Sequence, residues 1–225
     1  MPLRFPNSAA QIFFWIFAVL FIAAAVTALF FSYKRKQTFA ELLKAAAMLC
    51  LGTATVCLLP NEPLIYFSCY LLALCALGQA KGSTSLNCIG VGLLAASQYL
   101  NIAVTSGLLT YRIPVYVYVL ASIAILMGLT ASLFFPKRWN FKAFLFDGNM
   151  IFPAVAMIFS ALLLVNGILY SKIFLFVGYL FFAGEASVPD KSDGEHVRRS
   201  YYKNLFYFIG QLLIYVGLAL SVTAV

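Results

Sequence analysis

Two stretches of this chain end an apolar run on a single polar residue set between small ones. Leu74-Cys75-Ala76-Leu77-Gly78-Gln79-Ala80 closes on Gln79, and the run from Phe174 to Ser187 closes on Gly184-Glu185-Ala186. No other acid lies so clearly inside an apolar run as Glu185. A charge at the inner end of a membrane span is costly, so its default reading is functional. The alternative is a carboxylate solvated in the headgroup layer. A positioned carboxyl group has proton-transfer chemistry: it donates a proton as the acid and activates water as the base. Gln79 orients a water or a headgroup but transfers no proton at ordinary pH.

The elements that position these residues follow from composition. The chain has 225 residues, 64% hydrophobic and only 10% charged. Soluble domains carry about 45–50% apolar and about 25% charged residues, so an all-α integral membrane protein is expected. Residues 1–225 read as a single polytopic membrane domain. The first apolar run, Ala9 to Phe31, is followed at once by Lys34-Arg35-Lys36, which reads as an uncleaved span with a stop-transfer flank. Seven more runs follow: Ala40–Leu59, Pro63–Gln79, Ser85–Thr105, Pro114–Phe135, Asn149–Gly167, Ser171–Ser187 and Leu205–Ala224. The expectation is an eight-transmembrane-helix bundle. Leu86–Val91 and Phe174–Phe182 have strand-like composition, but without polar alternation a β-barrel is excluded.

The net charge is +8, yet the basic residues are scattered among loops, which argues against a nucleic-acid partner and for topology signals. Arg4, Arg112 and Lys172 fall on one side. Lys34, Arg35, Lys36, Lys81, Lys137, Arg138, Lys142, Lys191, Arg198, Arg199 and Lys203 fall on the other, with Lys44 inside a span. The asymmetry predicts that the second group is cytoplasmic and both termini are extracytoplasmic. Cys50, Cys57, Cys69, Cys75 and Cys88 lie in or beside apolar runs and read as small core residues. The one histidine, His196, has no zinc-type spacing to them, so neither a metal nor another cofactor is expected. The polar segment Val188–Asn204 reads as a solvated cytoplasmic loop whose basic end touches anionic lipid, or whose Arg198-Arg199 pair meets a substrate phosphate. Two short matches suggest a four-plus-four duplication. Gly78-Gln79-Ala80 with Ser97-Gln98-Tyr99-Leu100 parallels Gly184-Glu185-Ala186 with Gly210-Gln211-Leu212-Leu213.

Under that topology Gln79 and Glu185 both end helices at the cytoplasmic boundary. Lys44, Asn87 and Asn149 lie near the cytoplasmic starts of the second, fourth and sixth spans, and Gln211 lies about two turns into the eighth. Intramembrane polar groups face the bundle interior and each other. A shared cavity open to the cytoplasmic leaflet is expected, lined by Lys44, Gln79, Glu185 and Gln211. Lys44 either pairs with Glu185 or snorkels to the headgroups.

These segments resemble the YhhN-type membrane proteins, which include the lysoplasmalogenases. Leu43-Lys44-Ala45-Ala46-Ala47 resembles that family's lysine-containing second span. Leu74 to Gln79, with Gly92 to Leu100, resembles its Gly-Asp ending and Gly-Leu-x-x-Phe-x-x-x-His-x-x-Tyr helix. Val177 to Glu185 resembles its Gly-Ala-x-Leu-Phe-x-x-Ser-Asp segment, and Ser200-Tyr201-Tyr202 through Ile214 its Thr-Tyr-Tyr-x-x-Gln-x-Leu-Ile helix. The resemblance implies hydrolysis of the vinyl ether of a lysophospholipid, with Glu185 and Gln79 at the positions of two family aspartates and Gln98 at that of a histidine. Tyr202 and Gln98 then join Lys44, Asn87, Asn149 and Gln211 as substrate-binding candidates. Gln79 is a departure that weakens a paired-acid site. A lipid-binding relative without catalysis, or a small transporter, are the other expectations; oligomeric state is left open.

Overall fold

The computed structural model describes residues 5–80, 93, 96, 97, 100, 101, 104, 170–187 and 196–223; for 183–187, 196–200 and 223 it describes the backbone alone. Five helices are present among the described residues: α1 (Ser8–Tyr33), α2 (Gln37–Leu58), α3 (Pro63–Ala80), α4 (Tyr170–Ser187) and α5 (His196–Thr223). There is no strand among the described residues. α1, α2, α3 and the Tyr201–Val222 part of α5 are each long and apolar enough to cross a membrane. The expected spans Pro114–Phe135 and Asn149–Gly167 lie outside the described residues, as does Ser85–Thr105 apart from a few helical positions.

Local chemistry explains the helix boundaries. Asn7 caps α1 by accepting a hydrogen bond from the Ala10 amide at 2.7 Å, satisfying one of the first-turn donors. α1 ends in a Schellman turn. The Lys36 amide donates to Phe31 O at 3.0 Å and the Arg35 amide to Ser32 O at 3.2 Å, with Arg35 itself at φ 62°. Glycine is the usual residue in that left-handed conformation because it has no Cβ to clash. Pro63 opens α3, where its missing N–H costs nothing.

One boundary corrects the sequence reading. The last helix starts at His196, not at Leu205, so the basic end of the expected loop Val188–Asn204 is the first part of α5. No Gly or Pro interrupts residues 196–209, and Arg and Lys are good helix formers. Charge misled the reading; backbone preference decided the structure.

α1 packs along α2, α2 along α3, and α4 along α5; α5 also packs against α1 and touches α2. α1 buries only the narrow stripe Phe21, Ala25, Ala28 and Ser32, and leaves Ile12, Trp15, Val19, Ile22 and Val26 exposed. A continuous apolar surface of that extent fits hydrocarbon rather than water. α2 buries Ala40, Ala47 and Ala54 at heptad spacing, small residues of the kind that let helices approach closely within a bilayer. The α4–α5 contact is closer still. A Cβ on Gly178 would lie 2.8 Å from the Ile214 nitrogen and 3.0 Å from Gly210 O, so the two backbones touch. This contact fixes the antiparallel register of α4 on α5.

Candidate functional site

One face of α5 carries polar residues at helical spacing: Asn204, Tyr207, Gln211 and Tyr215. All four are buried. At a rise of about 1.5 Å per residue they span roughly 16 Å along the helix.

At the end near the Lys34–Lys36 turn, α2 contributes Glu41 and Lys44, each 7% exposed. They are one turn apart, and Lys44 Nζ stands 3.8 Å from Glu41 Oε2. The same ammonium lies 3.8 Å from the centroid of the Tyr207 ring, so the cation sits on the negative face of the aromatic. Gln37 Nε2 donates to Glu41 Oε1 at 3.3 Å, while Glu41 Oε2 accepts no hydrogen bond among the described residues. Beside this set, Asn204 Nδ2 donates to Ser32 Oγ at 2.7 Å, and Ser32 donates on to Ala28 O at 2.9 Å. That link ties the end of α1 to α5.

At the opposite end the polar set is neutral. Ser68 of α3 meets Asn101 Oδ1 at 2.8 Å and the Tyr215 hydroxyl at 2.5 Å, and Asn101 Nδ2 donates to the same tyrosine oxygen at 3.4 Å. Ser97 Oγ donates to Ser68 O at 2.9 Å.

Between the two ends lies Gln211, fully buried, with neither Nε2 nor Oε1 making a hydrogen bond among the described residues. An orphaned buried amide is rare, because leaving either atom unsatisfied costs about 1–3 kcal/mol.

Of the residues singled out by sequence, the structure buries Lys44 on α2 and Gln211 on α5, with Lys44 against Tyr207, four residues before Gln211. Gln79 is half-buried at the end of α3. The α2–α3 register, with Gly52 against Cys69 and Tyr70, puts it roughly level with Leu43 and Lys44. Gln79 makes no hydrogen bond to either residue among the described contacts. Tyr202 is 50% exposed and meets Tyr201 edge-on, outside the buried set. Glu185 is helical at its backbone, and its side chain lies outside the described residues. Its backbone falls seven residues after Gly178 on α4, at about the level of Asn204 along α5. Asn87, Gln98 and Asn149 lie outside the described residues.

Glu41 was missed. Glu41, buried beside Lys44, is a carboxylate within the helices that the sequence reading does not single out. Its signal was present: an acid three residues before Lys44 puts both on one helix face. A span that starts at Ala40 puts Glu41 at its very edge, where a charge attracts no notice. Searches against family models, curated proteins and solved structures each returned no match.

Proposed function

We propose that this chain is an eight-span membrane protein with both termini extracytoplasmic, which hydrolyses the vinyl-ether bond of lysoplasmalogen-type lipids in the manner of the YhhN-type proteins it resembles. The reaction takes place at the Lys34–Lys36 end of the bundle, on the cytoplasmic side. The observation that carries this reading is the ionisable pair Glu41–Lys44, buried where α2 meets α5 and held against Tyr207. Buried ionisable groups within membrane spans are expensive, and their usual role is functional.

The chemistry needs little machinery. A carboxylic acid protonates the enol-ether carbon remote from oxygen, leaving an oxocarbenium ion. Water adds to that ion and returns a proton to the carboxylate. The hemiacetal then collapses to a fatty aldehyde and the glycerophospho alcohol. Glu185 is the proton donor, at the α4 position level with Asn204. Gln79 cannot be the second acid, and Glu41 supplies the second carboxylate at the same end. A carboxylate near the oxocarbenium also offsets its developing charge.

A second reading, a lipid-binding protein without turnover, is favoured by Gln79 itself, since an amide stands where a family member has an acid. A transporter is less well supported: α1, α2, α3 and α5 run unbroken, whereas substrate sites in transporters are typically built on discontinuous helices. The test is incubation of purified protein with lysolipids carrying vinyl-ether, alkyl-ether or ester chains. Aldehyde release from the vinyl ether alone is the expected result, and its absence at any protein concentration would leave lipid binding as the function.

A further inference from the structure

Among the described residues, Gln211 is the one buried amide on α5 whose donor and acceptor are both open. Asn204, seven residues earlier, is engaged with Ser32, and Tyr215, four residues later, is engaged with Ser68 and Asn101. The α5 face therefore has satisfied polar groups above and below an unsatisfied one. Replacing the glutamine with an apolar residue would remove the penalty, so the packing of the described residues gives no reason for an amide there. A group that both donates and accepts a hydrogen bond would complete it. Lys44 and Glu41 lie on the neighbouring helix about one turn nearer the Lys34–Lys36 end, as the Lys44–Tyr207 contact shows. A ligand with an ionic head at that level thus carries its first neutral polar group at the level of Gln211.

We propose that Gln211 is a specificity-determining residue that binds the free secondary hydroxyl of a single-chain glycerolipid, its Oε1 accepting from the hydroxyl and its Nε2 donating to it. A hydroxyl satisfies both atoms of the amide. An ester or ether oxygen at the same carbon satisfies only the nitrogen, and a hydrogen atom satisfies neither. The site therefore rejects lipids with a second chain by leaving a buried acceptor unpaired, as sites built around a substrate hydroxyl do. This assignment rests on the single-chain-lipid reading above, but it concerns recognition and not bond cleavage.

The experiment uses a saturated 1-O-alkyl lysophospholipid, which has no vinyl ether to hydrolyse. Its affinity for the full-length protein is measured in mixed micelles beside its 2-O-methyl and 2-deoxy analogues, for wild type and Gln211→Met. Wild type should bind the free hydroxyl at least about tenfold more tightly than either analogue, the discrimination one buried hydrogen bond provides. Gln211→Met should bind all three alike and melt no lower than wild type without lipid. Equal binding of hydroxyl and deoxy lipids by wild type would overturn the proposal and leave water as the amide's partner. Unchanged discrimination in Gln211→Met, or a lower melting temperature without lipid, would overturn it as well. Aldehyde release from a vinyl-ether lysolipid is read separately. Discrimination with no aldehyde would sustain Gln211 as a recognition residue and remove the hydrolase reading.

Discussion

The two ends of the α5 polar face are built from different chemistry. Near the Lys34–Lys36 turn the groups are ionic: Glu41 and Lys44 sit 3.8 Å apart, and one carboxylate oxygen accepts no hydrogen bond among the described residues. At the far end they are neutral: Ser68, Asn101, Tyr215 and Ser97 bond to one another and to backbone. Closed neutral networks rigidify a core and tie distant segments together. A buried ion pair with an open oxygen contributes little net stability, because desolvation consumes most of the attraction. The far end is therefore read as a clamp and the near end as a place where chemistry is kept available.

Breaking each end should distinguish them. Lys44→Met leaves Glu41 buried without its cation, and loss of one partner of a buried pair costs about 3–5 kcal/mol. The Glu41→Gln, Lys44→Met double variant should recover much of that loss, since no lone charge remains. Thermal unfolding in detergent for the four members of the cycle checks this, and a double variant no better than Lys44→Met would mean the pair is not the issue.

Gly178→Ala sets a methyl within 3.0 Å of α5 backbone atoms and should cost about 1–3 kcal/mol by overpacking. Because α4 carries position 185, this change should reduce the near-end activity per folded molecule as well as the melting temperature. An activity loss no larger than the loss of folded protein would separate α4 from the site.

Tyr215→Phe removes one hydroxyl from the neutral network and should cost about 1–3 kcal/mol, the penalty for buried groups left unpaired. Its effect should fall on unfolding and leave lipid discrimination unchanged. The smallest expected effect is a gain. Arg35→Gly relieves a left-handed residue at the end of α1 and should raise stability by about 1 kcal/mol, because Lys34 and Lys36 keep the local charge. A fall in melting temperature would show that the Arg35 side chain is needed where it stands.

Much of the helix layout was legible because hydrophobic run length and turn residues are local signals. Expected spans Ala9–Phe31, Pro63–Gln79 and Ser171–Ser187 lie within two residues of α1, α3 and α4 at each end. The start of α5 was not legible, because Arg198, Arg199 and Lys203 read as loop by charge while favouring helix by backbone preference. At the site, Lys44 and Gln211 stood out as polar groups in apolar runs. Ser68 and Tyr215 did not: serine and tyrosine are ordinary in such helices, and their contact joins residues 147 apart in sequence. No local pattern encodes a pairing of that separation.

The central claim is that the ionic end works and the neutral end holds. It is tested most directly by aldehyde release from a vinyl-ether lysolipid by wild type, Glu41→Gln, Glu185→Gln and Tyr215→Phe at matched folded protein. Positioned acid–base groups contribute about 10²–10⁴-fold, so each glutamine variant should fall by that order while Tyr215→Phe keeps the wild-type rate. Full activity in both glutamine variants, or an equal fall in Tyr215→Phe, would contradict the account.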